Sequence, residues 1–152
     1  MPTLPTTARV RARIRFRALR YGVAFSGPLI AYLSITGHGL TCWSFALYGF
    51  FVIPLIELML RPGHSVLSEE EERAALADPM FDLLLYAVVP VQWGLMVLFL
   101  FRVNDPGLSG WDLAGRITAM GMMCGIYGIN VAHELGHRQL RWERDLARTL
   151  LL

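Results

Sequence analysis

Four apolar runs dominate the chain and leave it few ways to fold. They cover about residues 21–36, 41–60, 81–101 and 111–132. A helix needs roughly 20 apolar residues to cross a bilayer core, with about 17–25 usual. The last three runs reach that length, and the first, shorter and carrying Pro28, is marginal. In hydrocarbon each backbone N–H and C=O must find a partner inside the protein, so such runs fold as helices. The expected architecture is therefore all-α, a polytopic transmembrane helical bundle of about four helices. Hydrophobic residues at 55% and a mean hydropathy of +0.45 agree with it.

Charge gives the bundle a direction. Residues 1–20 carry Arg9, Arg11, Arg13, Arg15, Arg17 and Arg20. Beside an apolar run, such a stretch reads as a cytoplasmic basic arm under the positive-inside rule, and nucleic acid is not the expected partner. The basic region is long and no small-residue cleavage site follows it well, so the first run is expected to stay in the membrane. The link at 37–40 then faces outside, 61–80 returns inside, and 103–110 lies outside. The fourth run ends at the cytoplasmic face, where Arg138, Arg141, Arg144 and Arg148 follow at once.

The inner link has local signals of its own. Ser68 with Glu71 makes a capping box, and Glu69 to Glu72 load a first helical turn. Asp78-Pro79 is expected to end that short surface helix. Cys42 and Cys124 sit in separate apolar runs without a CxxC pair, so both read as small buried side chains.

The chemistry concentrates at Asn130-Val131-Ala132-His133-Glu134-Leu135-Gly136-His137-Arg138. A four-residue spacing stacks His133 and His137 on one helical face, one turn apart. Two neutral imidazoles so placed suit a metal ion. Asn130 shares their face. Glu134 is either the general base of a metal-bound water, as in HExxH peptidases, or the ion-pair partner of Arg138 four residues on. Glu57, an acid near the inner end of the second run, is a candidate partner of the metal centre. Gln92 suggests a helix-to-helix hydrogen bond, His64 is a weaker candidate, and His38 belongs to the outer link. Gly121, Gly125, Gly128, Ala132 and Gly136 form a stripe of small residues suited to close helix packing.

Two histidines do not complete a site. A structural zinc takes four ligands and a catalytic one three plus water. The sequence ends at Leu151-Leu152 within what reads as a further apolar segment. Residues 21–152 are thus expected to be the N-terminal, truncated part of a larger transmembrane domain.

The stretch from Asn130 to Arg138 resembles the first histidine box of the integral-membrane alkane monooxygenase family, within the membrane fatty acid desaturase and hydroxylase group. Pro54 to Glu57 is similar to a proline-plus-acid stretch closing an early helix, where the family more often has Asp. Val89-Pro90-Val91-Gln92 is similar to its third-helix pattern. The resemblance implies a di-iron hydroxylase domain with two non-haem iron ions, held by histidines from several boxes. It implies His133 and His137 as iron ligands, with Glu57, Asn130 and Glu134 as supporting side chains. It also implies hydroxylation of terminal carbons of alkanes or similar apolar chains, with O2 and electrons from rubredoxin, in the bacterial inner membrane. The later boxes of that family do not occur in these residues, so this fragment is expected to be inactive alone. The alternatives are an intramembrane zinc metallopeptidase, with Glu134 as base, and a non-catalytic membrane fragment.

Overall fold

The computed structural model describes residues 22–60 and 78–151. Among them every regular element is helical. The arginine arm, His64 and the Ser68–Glu71 capping box lie outside the described residues.

A 3-10 turn, Gly22–Phe25, leads into α1, Ser26–Thr36. Pro28 falls in the first turn of α1, where its missing N–H has no helical partner to lose. It therefore does not interrupt the helix. Gly37 N–H closes α1 on Leu33 O at 2.9 Å. Gly39 then takes φ +62°, a left-handed conformation that glycine adopts without a Cβ penalty. This tight turn starts α2, Gly39–Met59, which contains a π turn at Tyr48–Val52.

Helix α3 runs Pro79–Arg102 and continues through Pro90. Asp78 caps its start by accepting from Met80 N–H at 3.0 Å, with Pro79 at the first helical position. Asp78-Pro79 thus begins a long helix. Helix α4 covers 110–136, as Gly110–Met123, a π turn at Cys124–Ile129, and Asn130–Gly136. Ser109 caps it by accepting from Asp112 N–H at 3.1 Å. Helix α5, Arg141–Leu151, folds back along α4, so that Leu150 O lies near Gly128.

Among the described residues, two helices are long and apolar enough to cross a membrane: α2, with 21 residues, and α3, with 24. The stretch Gly22–Thr36 is apolar but shorter. Helix α4 carries Asp112, Arg116 and Glu134, which offset its apolar residues.

Among the described residues, two cores hold the helices together. One joins Ala31 and Ile35 of α1, Phe45 of α2, Leu95 of α3, and Ala119, Met120 and Met123 of α4. The other joins Val88 and Val89 of α3, Val131, Ala132 and Leu135 of α4, and Ala147 of α5. Close approach happens at Gly115, where a Cβ would stand 2.6 Å from Cys42 Cβ and 3.0 Å from its carbonyl oxygen. The small-residue stripe does not behave as expected. A Cβ at Gly121, Gly125 or Gly136 would meet nothing within 4 Å, and only Gly128 and Ala132 are buried. The π turn adds a residue per turn and breaks the alignment that regular helical spacing implies.

Arg116 is fully buried. Its guanidinium donates to Arg102 O, to Asp105 Oδ2 at 2.9 Å and to Gly37 O at 3.3 Å. It ties three chain segments at one end of the bundle. Beside it, Asp112 accepts from Gly39 N–H at 2.7 Å and faces His38 Nδ1 at 3.3 Å.

Candidate metal centre

The last stretch of α4 sorts its residues cleanly by face. Val131, Ala132 and Leu135 are buried in the core shared with α3 and α5. Asn130, His133, Glu134 and His137 are exposed on the other side. The buried residues fix the helix, and the exposed ones carry the polar groups.

His133 Nε2 and His137 Nε2 are 3.3 Å apart, and their rings meet edge-to-face with centroids separated by 4.6 Å. That distance suits an N–H···N hydrogen bond in the free pair. It also suits shared ligation. Two nitrogens each about 2.0–2.1 Å from one ion lie roughly 3.0–3.4 Å apart, depending on coordination angle. The pair therefore fits as two ligands of one metal ion. Among the described residues, no group of three or more His, Cys, Asp or Glu side chains is placed to hold a metal. His133 and His137 supply part of a coordination set.

The remaining candidates occupy distinct positions. Asn130 Nδ2 donates to Ile126 O at 2.7 Å, inside the π turn. Glu134 lies 3.5 Å from Arg138 in the i,i+4 arrangement, so the ion pair that the spacing suggests does form. Glu57 is exposed and makes no hydrogen bond or ion pair to the histidines. His38 pairs with Asp112 in the turn between α1 and α2.

Sequence reasoning missed a clamp behind the pair. Arg138 forms a 2.8 Å ion pair with Asp82 on α3. Burial opposes the Arg138 charge, but the hydrogen bond and charge of Asp82, with Glu134 and Glu143 beyond, hold its pKa above the ordinary value. One turn along α3, the Tyr86 hydroxyl donates to Glu143 Oε1 at 2.5 Å, and its ring packs on Trp142 at 4.9 Å. Glu143 is buried. The only signal in the sequence was Asp82 and Tyr86 spaced i,i+4 at the start of an apolar helix.

Known proteins bear on this geometry. No family model matches the chain. It is 24% identical over 130 residues to alkane 1-monooxygenase 1 of Alcanivorax borkumensis, covering 82% of this chain and 31% of that protein. This chain is similar to alkane 1-monooxygenases. The alkane 1-monooxygenase of Pseudomonas putida is 23% identical over 100 residues, 66% of this chain and 25% of the relative. Alkane 1-monooxygenase 2 of A. borkumensis is 26% identical over 133 residues, 82% of this chain and 33% of the relative. The relationship is distant but consistent, and the chain spans a quarter to a third of these relatives' length.

Proposed function

We propose that this chain is the N-terminal part of a membrane non-haem di-iron monooxygenase that hydroxylates terminal carbons of alkanes or similar apolar chains. The observation that carries the proposal is the histidine pair. Two Nε2 atoms converge to 3.3 Å on an exposed face at the end of an apolar bundle, in a chain similar to alkane 1-monooxygenases. His133 and His137 hold one of two iron ions, and further ligands come from residues beyond these 152. Bound iron supplies the activation of O2 needed to break a strong C–H bond.

The chain's own residues prepare that chemistry. Val131, Ala132 and Leu135 seat the ligand helix in a packed core, so the imidazoles need little reorganisation to meet metal. Arg138 and Asp82 fix the end of that helix against α3. Asn130 supports the turn before it, and Glu134 keeps Arg138 in place. The broad exposed apolar surface of α2, including Phe50, Phe51, Leu55 and Leu58, faces lipid. Four membrane passes follow if α1 and α4 join α2 and α3 in the bilayer. The arginine arm and histidine pair then face the cytoplasm of a bacterial inner membrane, where a rubredoxin-type donor reaches the iron. An alkane partitions into hydrocarbon and arrives from the membrane side. The Glu134–Arg138 pair disfavours the zinc peptidase alternative, which needs that carboxylate free to act on a bound water.

The test uses the complete product of the reading frame that encodes these residues, purified in detergent. Iron content and conversion of octane to 1-octanol are measured with a rubredoxin, its reductase and NADH. Two irons per chain and alcohol formation are expected. His137→Ala should lose most of the iron and all product while inserting normally in the membrane. Zinc with peptide cleavage, or full activity in His137→Ala, overturns the proposal.

A further inference from the structure

The start of α1 is tied to the π turns of α2 and α4 by a tyrosine from each. The Ser26 hydroxyl donates to Val23 O at 2.6 Å, so the Tyr48 hydroxyl, 2.6 Å from Ser26 Oγ, is the donor to it. The Tyr127 hydroxyl donates to Ala24 O at 2.6 Å, across 103 positions of sequence. Tyr48 opens the π turn of α2, and Tyr127 lies within the π turn of α4. The fit at Tyr127 is close. Gly27 is buried, and a Cβ there would overlap the Tyr127 hydroxyl and stand 2.8 Å from its Cζ. The Tyr127 ring also packs against both hydrophobic cores.

We propose that Tyr127 is a positioning residue for the histidine pair: its hydroxyl, held on the Ala24 carbonyl, keeps the segment Cys124–Ile129 in its π form and so aims His133 and His137. A regular helix advances about 100° per residue, and a π turn inserts one residue more. That extra residue lets Tyr127 reach across to α1 while Val131, Ala132 and Leu135 stay in the core with α3 and α5. Within an apolar bundle no water competes for the Ala24 carbonyl, so the bond is kept. If the tie is released, the segment can take regular α geometry, and the helix that follows turns with it. The α2 tie has no such consequence, because its π turn leads to no histidine. The effect on metal binding rests on the reading of His133 and His137 as ligands, whereas the tie itself does not.

The experiment uses the complete product of the reading frame that encodes these residues, purified metal-free in detergent. Co(II) affinity is read from its d–d absorption bands, and amide hydrogen exchange over residues 130–137 is read by mass spectrometry without metal. Tyr127→Phe keeps the ring and removes the hydroxyl. It should weaken Co(II) binding roughly three- to tenfold, the effect of one hydrogen bond inside a membrane bundle, and speed exchange at 130–137. Gly27→Ala, which pushes the hydroxyl off Ala24, should reproduce both effects. Tyr48→Phe breaks the tie to α2 and should leave both readouts unchanged. Wild-type affinity and exchange in Tyr127→Phe overturn the proposal. An equal loss in Tyr48→Phe also overturns it, since general loosening at the start of α1 would then be the cause. A wild-type protein that binds no Co(II) removes the metal reading, and the exchange comparison alone then decides whether Tyr127 holds the segment.

Discussion

Asp82 on α3 and Arg138, the residue after the histidine pair, are joined by a 2.8 Å ion pair across 56 positions of sequence. Both side chains are about one-third exposed, at 37% and 34%. In water such a pair adds about 1 kcal/mol or less to stability. Its significance is placement, because it fixes the end of the helix that presents His133 and His137. Asp82→Asn should therefore lower the melting temperature little while weakening Co(II) binding by the pair several-fold. Spectroscopic Co(II) titration of the detergent-solubilised chain checks this. The charge-swapped double variant Asp82→Arg, Arg138→Asp should recover much of the loss. Unchanged Co(II) affinity in Asp82→Asn would show that the pair plays no part in positioning.

Tyr86 and Glu143 form the second point of the clamp, and here burial raises the stakes. Glu143 is 3% exposed and takes the Tyr86 hydroxyl at 2.5 Å. Tyr86→Phe removes the donor and leaves a buried carboxylate short of a partner, at a cost of about 1–3 kcal/mol. Adding Glu143→Gln should restore part of that stability, because a neutral amide is less costly to bury unpaired. Thermal unfolding of the two single variants and the double variant gives the coupling. Additive effects would mean that the hydroxyl and the carboxylate do not interact.

At the other end of the bundle, Asp105 provides a pH prediction. The hydrogen bond from Arg116, aided by the charge of Arg102, holds its carboxyl below the ordinary 3.8. The folded protein therefore binds this proton less readily than the unfolded chain does. The contribution to stability is complete above the unfolded pKa and is lost as pH falls through the folded pKa. Wild-type stability should drop below about pH 4, and Asp105→Asn should flatten that part of the profile. A parallel acid limb in the variant would assign the loss to other carboxylates.

Much of the fold was legible because hydropathy and helix length are local properties. The run expected at 81–101 became Pro79–Arg102, and the turn expected at 37–40 formed around Gly39. The exposed pairing of His133 and His137 followed from their spacing. Interactions across the chain were not legible. Nothing near Arg116 in sequence announces that Gly37 O, Arg102 O and Asp105 will surround it. The clamp of Asp82 and Tyr86 depends on α5 folding back, a tertiary event. The glycine stripe misled because it assumed an unbroken α-helix, whereas the turn from Cys124 to Ile129 is a π turn.

That π turn leads directly into the candidate metal ligands, and Asn130 holds it. Its Nδ2 donates to Ile126 O at 2.7 Å, occupying a carbonyl within the irregular turn. The extra residue rotates everything after it relative to a regular helix, so the turn sets where His133 and His137 point. Asn130→Ala removes the hydrogen bond and lets the segment sample regular α geometry, which would swing the imidazoles away. Far-ultraviolet circular dichroism should change little, since either state is helical. Co(II) affinity should fall roughly tenfold, equivalent to about 1.4 kcal/mol and within the range of a lost hydrogen bond. Asn130→Ser, which keeps a short donor able to reach back to the same turn, should recover part of that affinity. Equal affinity in Asn130→Ala and wild type would mean that packing of Val131, Ala132 and Leu135 alone sets the direction of the pair.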